Sequence, residues 1–312
     1  MLEGGYRIER ELGSGSTARV FAAVHEATGQ RVALKWSLHD DQGSGEVVRR
    51  LQREYAAASR IDHPNVIHVQ ALGRDRGHAF IVMELLDGEP LSDRIARGPM
   101  GVAEAVRVLL PAMDGVVAAH ESGVVHRDIK PENIFVLRRG TPEAPDVRVI
   151  DFGLSRVRPD DLELDLTQPG TVLGTPLYMA PEQIRSPHLA DARADVYAFG
   201  VVLYEMLTQH FPIVGDSYQD FLVRLATAAP MPLRQRRADV PRSLERVVMK
   251  AIAHRPEERY PDLQSLRDAL APFAEEGHGA DAGVPTWWVW LGAALALAGL
   301  LGLVAYLLVA RP

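Results

Sequence analysis

No cysteine occurs in the 312 residues, which excludes disulfides, thiolate metal sites and a cysteine nucleophile together and fits a reducing compartment. Lysine is almost as scarce. Of 34 basic residues only Lys35, Lys130 and Lys250 are lysines, so each is a choice to be explained. There is no long Lys/Arg run, and the formal net charge is -7, so the clustered basic surface that binds nucleic acid by counterion release is missing. No nucleic-acid partner is expected. The N-terminus carries no long apolar run, and a cleavable signal peptide is not expected there. Internal repeats and low-complexity tracts are also absent.

What is present is enough apolar sequence, 47% of residues, for a packed core in one large or two modest domains. Residues 287–309, "WWVWLGAALALAGLLGLVAYLLV", contain no charged residue, and a helix of that length covers the ~30 Å hydrocarbon layer of a bilayer. A buried core helix is the alternative, but such helices usually carry a polar stripe. Trp287, Trp288, Trp290 and Tyr306 sit near its ends, where amphipathic rings favour the headgroup region. Glu275, Glu276 and Asp281 precede the run and Arg311 follows it, which is weakly opposite to the positive-inside pattern, so orientation must come from chemistry. The expected organisation is a folded region over residues 6–273, a flexible Gly/Ala/acidic linker over 274–286, a membrane helix over 287–309 and a short tail over 310–312.

Within the folded region the pattern changes once. Up to about Leu86, short β-like runs dominate ("RVFAAVHE", "RVALKWSL", "HAFIVMEL"), interrupted by one helical segment, "GEVVRRLQREYAAASRI"; beyond it the apolar period is helical. A small sheet-rich lobe over 6–86 and a larger helical lobe over 87–273 are predicted. Gly13 and Gly15 lie between two strand-like runs, where bare backbone can approach phosphate oxygens, although Gly/Ser turns also serve ordinary hairpins. Lys35 in "VALK" is either a solvated strand residue or a cation held for a ligand. Glu54 on the following helix is either its partner or a surface charge.

The sharpest signal is "VVHRDIKPENIFV", residues 124–136, in which an apolar strand-like start is broken by charge and then resumes; "VIDFG" follows at 149–153. These place Asp128, Lys130, Asn133 and Asp151 in two loops at strand ends, where a rigid scaffold presents polar groups to a cleft. Phosphoryl transfer from a nucleotide needs this set: oxygen ligands for a divalent metal (Asn133, Asp151), a carboxylate to take a hydroxyl proton (Asp128), and a cation beside the moving group (Lys130).

Taken together, the glycine loop, "VALK", the helix glutamate before "HPN", "HRDIKPEN", "DFG", "GTPLYMAPE" and "DVYAFG" resemble, in order, the motifs of eukaryotic-type protein kinases, and most closely the bacterial Ser/Thr (Hanks-type) branch. The resemblance covers residues 6 to 273 and implies a bilobal α+β kinase-like fold, with ATP and Mg²⁺ (Mn²⁺ as an alternative) as cofactors. It implies that Gly13 and Gly15 cover the phosphates, that Lys35 contacts the α- and β-phosphates, and that Glu54 pairs with Lys35. It places Val20 and Ala33 above the adenine and Phe135 beneath it. Met83 takes the gatekeeper position, with the carbonyl of Glu84 and the amide of Leu86 reading adenine through backbone alone. Ala18 stands where the fullest pattern has a third glycine. Lys130 points to the Ser/Thr branch. Glu182 and Arg259 are implied to form a buried ion pair, and Asp195 to brace the catalytic loop.

Between Asp151 and Glu182, activating autophosphorylation is expected on Thr167 or Thr171, because Arg127 offers charge-assisted bonds to a phosphate; a plain polar loop without regulation is the alternative. Thr175 is implied to contact the catalytic loop instead. ATP chemistry sets the expected topology: a single-pass protein of the cell membrane, with the kinase domain cytoplasmic and protein substrates bearing Ser or Thr. Ala294, Ala298 and Gly302 recur at four-residue spacing, which suits a homodimer through the span but also fits an Ala-rich chain. Alternative roles are a nucleotide-binding scaffold without transfer and a membrane adaptor. The full set Lys35, Asp128, Asn133 and Asp151 argues for the active enzyme.

Overall fold

In a computed structural model that describes residues 2, 4–15, 18–38, 46–152, 175–185 and 190–275, the chain forms a sheet-rich lobe followed by a helical one. Five strands make the first: β1 (Tyr6–Ser14), β2 (Ala18–His25), β3 (Gln30–Ser37), β4 (Val69–Asp75) and β5 (His78–Glu84), in the antiparallel order β1-β2-β3-β5-β4. Strand alternation assigns the two faces. Val32 and Leu34 join Ala23, Phe80 and Val82 on one side, where Trp36 stacks on Phe80 at 5.4 Å. On the other side Ile81 and Ala79 pack against Val48 and Leu51 of α1 (Glu46–Ala58). Lys35 stands opposite Ile81 in the β3–β5 register, which sets it on the face that α1 covers.

The second lobe is built around α5 (Arg193–Thr208). From Ala194 to Thr208 every residue but Glu205 is buried, as expected of a helix apolar on all sides. Around it lie α2 (Leu91–Ile95), α3 (Val102–Glu121), α4 (Pro181–Arg185), α6 (Tyr218–Thr227), α7 (Leu233–Arg236), α8 (Arg242–Ala251) and α9 (Leu263–Leu270). Capping places several boundaries: Ser217 accepts the Asp220 N–H at 3.1 Å, and Asp262 accepts the Ser265 N–H at 2.7 Å. Gly200 is demanded by packing, since a Cβ there would lie 2.7 Å from Ile252 Cγ2 and 2.9 Å from Ala251 Cβ. A small sheet of β6 (Gly88–Pro90), β7 (Ile134–Leu137) and β8 (Val147–Val149) lies on the inter-lobe side of this bundle, tied to the first lobe by a parallel bridge between Val66 and Val149.

Two sequence expectations need correction. Residues 124–126 are not a strand: the Val124 N–H goes to the Ala119 carbonyl at 2.9 Å and the His126 N–H to the Asp195 carboxylate at 2.9 Å, so no ladder is available to them. Conversely, "VQALGRD" is strand β4, although its alternation is weak, because β5 supplies a partner edge. The expected linker beyond residue 275, the span over 287–309 and the tail lie outside the described residues; among those described, no helix is long and apolar enough to cross a membrane.

The implied ion pair of the helical lobe is present. Arg259 Nη1 and Nη2 reach the two oxygens of Glu182 at 2.6 and 2.8 Å, and the guanidinium also donates to the carbonyls of Ala253, Arg193 and His254. Its side chain is fully buried. Arg259→Ala leaves the Glu182 carboxylate uncompensated, so equilibrium unfolding should show a loss of about 3–5 kcal/mol. A melting curve matching wild type would refute this structural role.

Candidate active site

Three elements deliver charge to one point between the lobes. β3 carries Lys35, α1 carries Glu54, and the chain leaving β8 carries Asp151; Lys35 Nζ lies 2.7 Å from Glu54 Oε1 and 2.7 Å from Asp151 Oδ1. Burial alone would lower the lysine, but the two carboxylates hold it above its ordinary value. The ammonium donates to both carboxylates at the same distance, yet the two are displaced in opposite directions. Desolvation pushes Glu54 up to about 7 despite Lys35, and Asp151 adds to the rise. Desolvation would also raise Asp151, yet the Lys35 ammonium, with Lys130 further off, holds it below the usual carboxylate range. The contact of Lys35 with Asp151 was not read from the sequence, because 116 residues separate them.

The second cluster lies on the irregular segment before β7. Lys130 Nζ is 3.1 Å from Asp128 Oδ2, and Asn133 Nδ2 donates to the Asp128 carbonyl at 2.8 Å and to its carboxylate at 3.3 Å. The Ile150 N–H donates to the Asn133 carbonyl at 2.9 Å, which draws the Asp151 segment alongside. This loop is braced from beneath: Asp195, fully buried, accepts the N–H of His126 at 2.9 Å and of Arg127 at 2.8 Å, and the His120 ring at 2.7 Å. Burial would raise Asp195, but the His120 bond and the backbone donors hold it low and therefore charged. Arg127 and Asp151 both adopt positive φ, 64° and 58°; the Asp195 bond to its N–H sustains this at Arg127, and the Lys35 contact holds Asp151.

The remaining implied residues lie around these clusters. Val20 stands opposite both Gly13 and Lys35, Ala33 opposite Met83, and Glu84 and Leu86 follow where the chain leaves β5. Phe135 occupies β7. Thr167, Thr171 and Gly153 lie outside the described residues, as does the side chain of Thr175. Several contributors were missed in the sequence. His126, fully buried, donates to the Ile150 carbonyl at 3.1 Å and packs on Phe152 at 4.8 Å; its place in "HRD" was the only signal. Gln183 donates to the Arg127 carbonyl at 2.9 Å, and nothing in the sequence marked it.

The donor set suits a nucleotide and a hard divalent cation. Gly13 has open space for a Cβ, with nothing within 4 Å, and at Gly15 the nearest atom is 3.7 Å away; neither has the positive φ that demands glycine. The fold itself therefore does not call for glycine there, whereas close approach of a phosphate chain does. The Asn133 amide nitrogen is engaged by Asp128, so its oxygen is the atom that would serve as a neutral ligand, with Asp151 offering a carboxylate; Mg²⁺ is bound by such sparse oxygen sets together with substrate phosphates. A separate depression of about 600 Å³, lined by Glu89, Arg94, Met100, Val108, Leu137 and Pro142 among others, includes none of these residues.

Comparison with known proteins gives one consistent result. The family model described as "Protein kinase domain" matches residues 6–269. Serine/threonine-protein kinase pkn2 of Myxococcus xanthus is 35% identical over 87% of this chain and 32% of its own length. Serine/threonine-protein kinase PknL of Mycobacterium tuberculosis is 36% identical over 88% of this chain and 67% of its own. Against the first three curated relatives, the chain spans only about a third to a half of their length. The crystal structure of the Mycobacterium tuberculosis PknI kinase domain superposes with a TM-score of 0.66 at 24% identity, covering 88% of this chain and 98% of that one, which shows a shared fold.

Below the braced loop, Tyr178 Oη donates to Glu205 Oε2 at 2.7 Å. Desolvation pushes Glu205 up to about 7; the Tyr178 bond opposes the shift and nearby Glu132 adds to it. An acid whose folded pKa is raised favours the folded state fully below its unfolded value, near 4.5, and loses that contribution as pH rises through about 7. Urea unfolding at pH 5 and pH 8 should therefore show a smaller loss of stability with pH for Glu205→Gln than for wild type. Parallel profiles would refute it.

Proposed function

Since the chain belongs to the protein kinase family, we propose that it is a serine/threonine kinase that transfers the γ-phosphoryl group of ATP to the hydroxyl of a protein Ser or Thr. The observation that carries this reading is the pairing of two charged clusters: Lys35 between Glu54 and Asp151, and Asp128 between Lys130 and Asn133 on a braced loop. The named relatives are serine/threonine kinases, and Lys130 follows Asp128 as in that branch, which supports a Ser or Thr acceptor.

In this reading Lys35 neutralises the α- and β-phosphates and Glu54 keeps its ammonium in place. Val20, Ala33, Met83 and Phe135 enclose the adenine, which is read by the Glu84 carbonyl and the Leu86 amide. Asp128 orients the acceptor hydroxyl and takes its proton as the oxygen bonds to the γ-phosphorus; the bond to the bridging oxygen breaks and ADP leaves. Lys130 balances charge on the moving group. A magnesium or manganese ion, held by Asn133 and Asp151, would supply charge neutralisation of the phosphates.

Two finer features belong to the same proposal. Arg127 donates to the Ala190 carbonyl at 3.0 Å, but its buried Nε has no hydrogen-bond partner among the described residues, which favours a phosphate on Thr167 or Thr171 as an activating acceptor. The apolar run 287–309 would anchor the chain in the cell membrane with the kinase on the cytoplasmic side, where ATP is, and could pair two copies through Ala294, Ala298 and Gly302.

Incubation of the full chain with radiolabelled ATP and Mg²⁺ should label threonines of the wild type. Asp128→Asn should reduce labelling by roughly 10²–10⁴-fold. Nucleotide binding without any label would instead favour a scaffold, and full activity in Thr167→Ala/Thr171→Ala would remove the activation-loop reading. After expression in a bacterial host, the full chain should stay with carbonate-washed membranes and residues 1–286 should not; equal release of both would dismiss the anchor.

A further inference from the structure

Glu84 is placed at the nucleotide only through its backbone carbonyl, but its side chain is engaged as well. Its N–H donates to the His68 carbonyl at 3.0 Å, and its Oε1 accepts the His68 N–H at 2.9 Å. The same Oε1 lies 3.4 Å from Nε of Arg148, in the middle of β8 on the other lobe. Arg148 is 8% exposed, and its Nη1 donates to Asp146 Oδ1 at 2.7 Å. In the β7–β8 register it stands opposite Phe135.

This contact extends an existing seam. The Val149 N–H donates to the Asn65 carbonyl at 2.8 Å, Ile67 N–H to the Val149 carbonyl at 3.0 Å, and Asn65 Nδ2 to the Val147 carbonyl at 3.0 Å. Those bonds join β8 to the segment before β4 but stop short of the hinge. Glu84 closes the gap, since one carboxylate oxygen meets both the end of that segment and the buried guanidinium.

We propose that Glu84 and Arg148 form a strap that holds the hinge in register with β8, and that Arg148 is a positioning residue for the adenine end of the nucleotide. The proposal rests on the kinase reading and adds the residues that set nucleotide affinity. A buried guanidinium is costly to desolvate unless it is compensated, and here the compensation is divided between Asp146 on its own hairpin and Glu84 on the hinge. Loosening the second partner frees the backbone that presents the Glu84 carbonyl and Leu86 amide, and small displacements of a recognition group weaken binding. Neither residue has a described contact with Asp128, Lys130 or Asn133. The effect therefore falls on binding rather than on the chemical step.

The test uses the full chain, with a fluorescent ADP analogue for binding and ATP-dependent labelling for turnover. Arg148→Ala should weaken analogue binding and raise the KM for ATP by roughly three- to tenfold, with kcat within about twofold. Because Arg148→Ala leaves Asp146 with Arg139 alone, empties a buried site and can fail to fold, Glu84→Gln serves as the second variant. It keeps an acceptor for His68 and leaves the Arg148–Asp146 bond intact, yet should shift KM in the same direction. The double variant should be no worse than Arg148→Ala alone, as expected of two ends of one contact. Unchanged affinity in folded Glu84→Gln, additive losses, or a fall in kcat alone would overturn the strap. A wild type that binds no nucleotide would overturn the kinase reading itself, and the strap with it.

Discussion

One ammonium group between two carboxylates sets the geometry on which the site depends. Lys35 reaches Glu54 and Asp151 at 2.7 Å each, and the three residues come from a strand, a helix and a loop of the opposite lobe. The contact is energetically uneven: the two carboxylates hold the lysine above its ordinary value, the ammonium holds Asp151 below the usual carboxylate range, and desolvation pushes Glu54 up to about 7. Such a triad is expensive to desolvate and gives little net stability, so its worth lies in position. It aligns α1 against β3 and keeps the Asp151 segment within reach of both.

The catalytic loop is positioned from the other direction, by the core. The buried helix α5 presents Asp195 near its N-terminus, and that carboxylate takes the two backbone N–H groups preceding Asp128. A loop with positive φ at Arg127 would relax if these donors went to water. Gln183 and His126 add further bonds, to the Arg127 and Ile150 carbonyls. The helical lobe thus acts as a rigid mount, and the buried Glu182–Arg259 pair keeps that mount's own helices together.

Much of this was legible in the sequence because the chemistry demands particular residue types in short, ordered motifs. "VALK", "HRDIKPEN" and "DFG" each carry a charged residue where burial patterns alone would place an apolar one, and the scarcity of lysine made Lys35 and Lys130 conspicuous. The third, Lys250, turns out to lie over the Tyr260 ring at 4.3 Å, a packing role that no motif announces. Strand β4 was missed because its stability comes from the β5 edge, and residues 124–126 were misread because the Val124 N–H turns back to the Ala119 carbonyl and the His126 N–H finds a carboxylate from a distant helix.

By itself, then, the sequence determined the two-lobe order and the identity of the charged groups, because strand and helix periodicity and motif spacing are local properties of the chain. Only the tertiary structure decided that Asp151 shares Lys35 with Glu54, that the His120 ring joins the two backbone N–H groups on Asp195, and that the side chain of Glu84 reaches Arg148. These pairings join residues tens to more than a hundred positions apart, and their strength is set by burial and by competition among neighbouring charges, neither of which exists until the lobes have packed.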